Sequence, residues 1–219
     1  MGLVAEDIRM KELLKLYEMR KYEIGKKLEE FKSKSDSSDE ELFKEFVFCI
    51  LTPQSKAVTS WNAVQALERN GLIFKGNENQ IRPFLQAVRF GDTKSKRIVK
   101  NREFLMENGK LKIKDNVSNK DPIELREWLV ENIIGYGMKE ASHFIRNIGF
   151  SKNQLAILDV HILKNLKEFG IIDDIPKSLT RKRYLEIEEK MKGFANRLGI
   201  TLDELDLLLW SKETGIVFK

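Results

Sequence analysis

Apolar residues recur along most of the chain at the three- and four-residue spacing of amphipathic helices. The first stripe predicts one long N-terminal helix and consists of Leu13, Tyr17, Ile24, Leu28 and Phe31. The polar segment 33–38 ends this helix because it contains no apolar residue to bury. The sequence contains no strand-like alternation of useful length and no internal repeat. The pattern therefore predicts an all-α fold.

Capping signals locate the later helices. Ser38-x-x-Glu41 predicts the start of a helix that runs to Leu51, and Ser55 is predicted to cap the next one. Pro53 separates these two helices because it disfavours helical backbone at the residue before it. The remaining predicted elements are helices around 81–90 and 93–106, a turn at 108–109, a loop over 110–120, a helix from Asp121-Pro122 to Ile134, a second hairpin helix from about Met138, and helices over 159–169, 180–198 and 202–210.

The composition of the 219 residues excludes several kinds of site. Lysine and arginine exceed aspartate and glutamate by five, a weak indication of nucleic-acid binding that an ordinary mixed-charge surface explains equally well. The single cysteine, Cys49, excludes an intramolecular disulfide, an all-cysteine zinc site and a four-cysteine iron–sulfur cluster. Only His143 and His161 supply imidazoles, which excludes a histidine-rich metal site. Sites of these kinds are therefore not expected.

The start of the sequence and its apolar runs bear on location. Charge at Glu6 precedes any apolar segment, so no secretory signal is expected. The longest unbroken apolar run, Phe46 to Leu51, is far too short to span a bilayer. We therefore expect an intracellular protein of the cytoplasm or nucleoid with no membrane partner.

The segment from Glu131 to Phe144 contains the most informative motif. Two glycines, Gly135 and Gly137, separate the end of one predicted helix from the start of another. The unpaired N–H groups at the start of the second helix suit a DNA phosphate. The pattern predicts a helix–hairpin–helix over 123–148 that holds DNA without reading its sequence. An ordinary pair of helices joined by a glycine turn explains the two glycines equally well.

Two charged residues add chemistry to this motif. Lys139 lies in the first turn of the second helix, where the macrodipole disfavours a positive charge and favours the neutral amine that a nucleophile needs. Asp159 follows an apolar run and heads a later helix, so it is predicted to cap that helix. A capping aspartate at the edge of a cleft can also face a substrate.

These residues resemble a known family. Ile134-Gly135-Tyr136-Gly137-Met138-Lys139-Glu140-Ala141 followed by Leu158-Asp159-Val160-His161-Ile162 is similar to the helix–hairpin–helix DNA glycosylase superfamily. Thr52-Pro53-Gln54-Ser55 and the ending Leu209-Trp210…Thr214-Gly215…Lys219 resemble its archaeal-type 8-oxoguanine DNA glycosylase/AP lyases. The resemblance covers about Phe46 to Lys219. It departs from many members in one respect, because 149–158 contains no proline.

The resemblance implies a fold and a reaction. It implies two helical subdomains, about 1–52 plus 160–219 and about 53–159, with a DNA cleft between them. It implies that Lys139 is the nucleophile and Asp159 the catalytic acid of a bifunctional enzyme. Such an enzyme excises 8-oxoguanine through a lysine Schiff base and then cleaves the strand by β-elimination. Neither step needs a metal, so we expect no cofactor. A structural cation at the phosphate contact of the hairpin is left open. The implied partner is damaged double-stranded DNA, and we expect the protein to act as a monomer.

The resemblance also indicates residues for the excised base, which must be flipped out of the duplex. Gln54 and Lys219 are expected at the pocket, and Asp206 and Trp210 share one helix face at its edge. Trp210 fits a core aromatic as well as a stacking platform. His143 and His161 are expected to be structural. Discrimination against guanine needs an acceptor for the hydrogen on N7 of 8-oxoguanine, and the sequence assigns none.

Two alternatives remain open at the level of the sequence. One is a related glycosylase for another oxidised base. The other is a non-catalytic helix–hairpin–helix module that only binds DNA, which gives no reason for a lysine at position 139.

Overall fold

Helices account for nearly all the regular structure in the computed structural model, which describes residues 2–118 and 120–219. The predicted all-α fold is confirmed. The α-helices are α1 (Gly2–Ser33), α2 (Asp39–Leu51), α3 (Ala57–Arg69), α4 (Leu72–Lys75), α5 (Glu78–Ile81), α6 (Gly91–Phe104), α7 (Ile113–Val117), α8 (Pro122–Asn132), α9 (Met138–Asn147), α10 (Val160–Glu168), α11 (Arg181–Leu198) and α12 (Leu202–Thr214). Short 3₁₀ turns occupy Lys34–Asp36 and Arg82–Leu85.

The predicted loop over 110–120 is wrong. Two antiparallel strands, β1 (Met106–Glu107) and β2 (Lys110–Leu111), are joined by the turn Asn108-Gly109, where both residues have positive φ. The short helix α7 follows. Its first N–H groups donate to Asp39 Oδ1 at 2.7 and 2.8 Å. This cap comes from 74 residues earlier in the chain, so local sequence patterns could not indicate it.

Other predicted boundaries agree with the structure in part. Ser38, Asp121 and Thr201 cap α2, α8 and α12, as their spacing predicts. Ser55 does not cap α3, which begins two residues later. Its hydroxyl instead accepts the Arg89 N–H at 3.0 Å. Met1 and Asn119 lie outside the described residues. Met1 belongs to the N-terminal segment for which no secretory signal is expected, and Asn119 belongs to the predicted loop.

The apolar side chains form two core clusters. The first contains buried residues from Leu42 to Leu155 and is built mainly from α2, α3, α6, α8 and α9. The second joins α1 to α10, α11 and α12. The chain passes from one cluster to the other at 155–156, a few residues before Asp159. Helix α2 packs in the first cluster, although the proposed boundary at residue 52 groups it with α1.

Within the described residues, no helix is both long and apolar enough to cross a membrane.

Candidate active site

The turn between α8 and α9 is fixed by contacts with α6. Asn101 donates to the Ile134 carbonyl and accepts from the Ile134 N–H, both at 2.9 Å. Gly135 has a φ of +93°, and a Cβ there would lie 2.6 Å from Arg97 Cδ. The backbone conformation therefore favours glycine, and the Arg97 side chain would have to move to admit a Cβ. The predicted hairpin is present, and it packs tightly on its neighbour.

The start of α9 leaves donors available. Gly137, the residue before the helix, has extended backbone, and its N–H donates to Glu140 Oε2 at 3.1 Å. No described side chain accepts a hydrogen bond from the first-turn N–H groups that follow. An anion placed there would meet these donors and the positive end of the helix dipole.

Lys139 lies in this first turn and points toward α2. Its Nζ is 3.4 Å from Thr52 Oγ1 and 3.2 Å from Glu140 Oε1, and its side chain is about one-fifth exposed. The amine is thus close to the surface of a cleft and has a carboxylate beside it that can exchange a proton.

Asp159 caps α10, as predicted. Its Oδ1 accepts the N–H groups of His161 and Ile162 at 2.9 and 2.8 Å. Its other oxygen, Oδ2, makes no hydrogen bond within the described part of the chain. The cap therefore orients the carboxylate and leaves one oxygen for a substrate.

A single cavity of about 940 Å³ brings Lys139 and Asp159 together. This volume lies in the range of ligand pockets. The cavity is lined by Thr52, Pro53, Gln54, Ser55, Lys56, Ala57, Val58, Lys139, Glu140, His143, Arg146, Ile157, Asp159, Val160, His161, Asp206, Trp210, Thr214, Ile216 and Lys219. Every residue that the sequence singled out for catalysis or base binding is in this set.

Asp206 lies deep in the cavity wall. Its Oδ2 is 3.2 Å from Arg146 Nη1, and its Oδ1 has no hydrogen bond among the described residues. The pKa of Asp206 is raised to about 7, mainly by burial. The charge of Arg146 lowers this pKa, but burial and the negative charges of Asp159 and Asp203 together outweigh it. Near neutral pH this carboxyl can either donate or accept a hydrogen bond.

His143 is not the internally satisfied histidine that the sequence suggested. Within the described chain, neither ring nitrogen makes a hydrogen bond of ordinary geometry, and the ring lies edge-on to Phe48 at 5.5 Å. Burial, and then the charges of Arg146 and Lys139, hold the pKa of His143 well below its usual value, with the Lys219 main chain acting in the opposite direction. The cavity thus contains a neutral imidazole. Its position four residues after Lys139 was the available signal.

Gln54 has a φ of +56° and projects from the loop between α2 and α3. This loop is held by Lys94, whose buried ammonium donates to the carbonyls of Leu51 and Pro53, both at 2.7 Å. Burial, and then the charges of Lys139 and Arg97, lower the pKa of Lys94 to about 8. The sequence carried no signal for Lys94, because its partners lie about forty residues earlier.

Trp210 is half-buried at the cavity edge and lies outside both core clusters. Its ring stacks with Phe218 at 6.3 Å, with an angle of 29° between the planes. Of the two interpretations left open for Trp210, this position favours the stacking platform.

Lys219 is docked, as the apolar tail predicted. Its ammonium donates to buried Glu45 at 2.5 Å and lies 3.1 Å from the centre of the Trp61 ring. Burial lowers the pKa of Lys219 to about 8 against the opposing effect of Glu45. The ammonium is therefore engaged by Glu45 and Trp61, whereas the main chain of Lys219 interacts with His143.

Among the residues that the structure describes, no three histidine, cysteine, aspartate or glutamate side chains converge in a way that would hold a metal ion.

Comparison with known proteins identifies the family. A family model described as 8-oxoguanine DNA glycosylase matches residues 24–200. A Fusobacterium nucleatum protein named 8-oxoguanine DNA glycosylase/AP lyase is 45% identical over 210 residues, which cover 95% of this chain and 96% of that protein.

Two solved structures agree with this match. The crystal structure of Methanocaldococcus jannaschii 8-oxoguanine DNA glycosylase has a TM-score of 0.86 and 37% identity, and the match covers 97% of this chain and 96% of that one. The complex of the M. jannaschii glycosylase/lyase with a 15mer DNA containing 8-oxoguanine has a TM-score of 0.85 and 37% identity, covering 95% and 100% of the two chains. With its matched length, its hairpin and its lysine- and aspartate-lined cavity, this chain belongs to the Ogg-HhH family of 8-oxoguanine DNA glycosylases.

Proposed function

We infer that the chain is a DNA glycosylase and AP lyase that excises 8-oxoguanine from double-stranded DNA and then cleaves the strand. The observation that carries this conclusion is the cavity in which Lys139 and Asp159 both lie, next to a helix N-terminus with free donors. Three relatives that match at least 90% of this chain are each named 8-oxoguanine DNA glycosylase/AP lyase, which supports this activity. A module that only binds DNA would have no use for an amine and a carboxylate in one cavity.

In the proposed mechanism, neutral Lys139 attacks C1′ of the flipped nucleotide and the bond between C1′ and the base breaks. Asp159 stabilises the positive charge that develops on the sugar, or accepts a proton from the attacking amine. Glu140, 3.2 Å from Nζ, is a second group within reach of that proton. The departing base takes up one proton as its bond to C1′ breaks, which balances the proton that the attacking amine gives to Asp159 or Glu140.

The sugar ring then opens to a Schiff base with Lys139. This iminium accepts the electrons released when a C2′ proton is removed, and the C3′–O bond to the 3′ phosphate breaks. One lysine thus serves both the glycosylase and the lyase step.

We propose that the flipped base stacks on Trp210 and meets Gln54, Asp206 and Lys219. Asp206 supports this assignment because its Oδ1 is buried at the cavity without a described partner. A buried polar atom of this kind costs free energy until a ligand satisfies it. Since the ammonium of Lys219 is engaged by Glu45, we assign the base contact of Lys219 to its main chain.

We propose that Gly135 and Gly137 shape the phosphate contact rather than supplying all its donors. Gly135 supplies the positive φ that turns the chain, and the Gly137 N–H is already bonded to Glu140. The N–H groups of Met138 and Lys139 follow immediately and have no side-chain cap.

We also propose that the chain acts as a monomer in the cytoplasm or nucleoid. One chain supplies both reactive side chains and the phosphate site, which supports this. The division into a subdomain of about 1–52 plus 160–219 and one of about 53–159 stays a proposal, with the DNA in the cleft between them.

Borohydride trapping on a duplex that carries 8-oxoguanine tests the function. Wild type should form a covalent protein–DNA adduct, and Lys139→Gln should form none. Lys56→Gln is the matched control because Lys56 lines the same cavity, and it should trap normally. No trapping by wild type on this duplex, or full trapping by Lys139→Gln, would refute the mechanism. A panel of other oxidised bases shows whether 8-oxoguanine is the preferred one.

A further inference from the structure

The segment that leads into Asp159 is held through its main chain by two residues of α11. Tyr184 donates its hydroxyl to the Ala156 carbonyl at 2.6 Å and accepts the Leu158 N–H at 3.3 Å. Glu188 Oε2 accepts the Ala156 N–H at 2.7 Å. Both polar main-chain groups of Ala156 are therefore bonded, as is the N–H of the residue just before Asp159. The segment contains no proline that would stiffen it otherwise.

One of these two residues, Glu188, is also bonded to the hairpin helices. Arg126, on α8, forms two parallel bonds to Glu188, at 2.6 and 3.0 Å. Its Nη1 also lies 3.4 Å from Ser142 Oγ, which is on α9 one turn after Lys139. The network thus connects the helix of the nucleophile to the segment of the catalytic acid.

The members of the network are buried almost completely. The exposed fractions of Arg126, Tyr184 and Glu188 are 1%, 2% and 2%, and that of Ser142 is zero. Two parallel bonds between a guanidinium and a carboxylate fix orientation as well as distance, and burial removes competition from water. Burial also raises the pKa of Tyr184, so its phenol stays protonated and can donate and accept at every working pH.

We propose that Tyr184, Glu188 and Arg126 position Asp159 relative to Lys139 and thereby set the rate of base excision. None of the three lines the described cavity, so they are positioning residues and act through Asp159. The proposal rests on the roles assigned above to Lys139 and Asp159. Small displacements of reacting groups have large effects on rate, about a hundredfold for 1 Å.

The test is Tyr184→Phe, which keeps the ring and removes only the hydroxyl that bonds Ala156 and Leu158. Single-turnover excision of 8-oxoguanine with saturating enzyme should slow at least tenfold, while the dissociation constant for the same duplex stays within twofold. Tyr17→Phe is the matched control. Tyr17 is also buried, and its hydroxyl bonds Glu204 at 2.8 Å, away from the cavity. It should lose no more than twofold in rate.

Thermal unfolding of both variants separates positioning from general loss of stability. If Tyr184→Phe excises at the wild-type rate, or slows only as much as Tyr17→Phe at an equal loss of Tm, the proposal is wrong. Asp159→Asn distinguishes this failure from failure of the underlying mechanism. A slow Asp159→Asn beside a fast Tyr184→Phe would refute the positioning role alone, whereas a fast Asp159→Asn would refute the role of Asp159 and with it the proposal.

Discussion

Replacing Asp206 with asparagine should change how the stability of the protein depends on pH. Asp206 is 6% exposed and lies between Arg146 and two other carboxylates, Asp159 and Asp203. Asparagine has the same shape as the protonated acid and cannot ionise. The substitution therefore removes a titration and leaves the packing nearly unchanged.

The direction of this pH dependence follows from the protonation of Asp206 in the folded and unfolded chain. In the unfolded chain Asp206 loses its proton near the ordinary pKa of 3.8, whereas in the folded protein burial raises that pKa to about 7. Between these values the folded state binds more protons than the unfolded state, so this residue makes stability fall as pH rises. Each pH unit in that interval contributes about 1.4 kcal/mol. Because the folded carboxyl is half ionised at pH 7, the contribution of Asp206 should thus decrease by about 2 kcal/mol between pH 5 and pH 7.

The measurement is the free energy of unfolding in denaturant at pH 5, 6 and 7 for wild type and Asp206→Asn. Groups that do not interact with Asp206 titrate equally in both proteins, so the difference between the two curves reports Asp206 together with its coupling to Asp159 and Asp203. The variant should gain about 2 kcal/mol relative to wild type across this range. Asp174→Asn is the control because the Asp174 side chain is 84% exposed, and its curve should run parallel to wild type. Parallel curves for Asp206→Asn would show that the carboxyl is already ionised at pH 5 and would refute the reasoning.

Two further changes, one substitution and one deletion, test the hairpin turn and the C-terminal residue. Gly135→Ala should weaken duplex binding at least tenfold, because alanine rarely adopts a φ of +93° and its Cβ would lie 2.6 Å from Arg97 Cδ. Gly170→Ala is the control, since Gly170 has a φ of +69° and a Cβ there would have no atom within 4 Å. It should leave the dissociation constant for the duplex unchanged. Equal affinities for the two variants in a titration would contradict this account of the turn. Deleting Lys219 removes both the ammonium held by Glu45 and the main chain beside His143, so excision of 8-oxoguanine should fall more than cleavage at a pre-formed abasic site. Equal losses in the two assays would argue against a role in base recognition.

Local patterns predicted those elements whose signals lie within a few residues. The caps at Ser38, Asp121, Asp159 and Thr201 are present because a side chain there reaches N–H groups two or three residues ahead. The loop predicted before Asp121 failed for the opposite reason, since α7 depends on a cap from α2 that is distant in sequence.

The candidate site likewise has features that the sequence predicted and features that only the fold created. The positions of Lys139 and Asp159 at helix starts, together with the resemblance to a family, identified both residues from the amino-acid sequence. Their shared cavity, the unpartnered nitrogens of His143 and the ammonium of Lys94 beneath the Gln54 loop came only from the fold. In each case the neighbouring groups lie tens of residues away, so no periodicity or spacing could report them.

The amino-acid sequence by itself determined the helical class and the glycine hairpin, excluded any site that needs several cysteines, and gave Lys139 and Asp159 as the candidate nucleophile and acid. These properties depend on residue type and on neighbours within one or two turns. Tertiary structure alone decided that Asp206 holds its proton to about pH 7, that the ammonium of Lys219 is engaged by Glu45, and that Tyr184 and Glu188 hold the approach to Asp159. Burial and long-range hydrogen bonds set these properties, and both exist only once the two core clusters have packed.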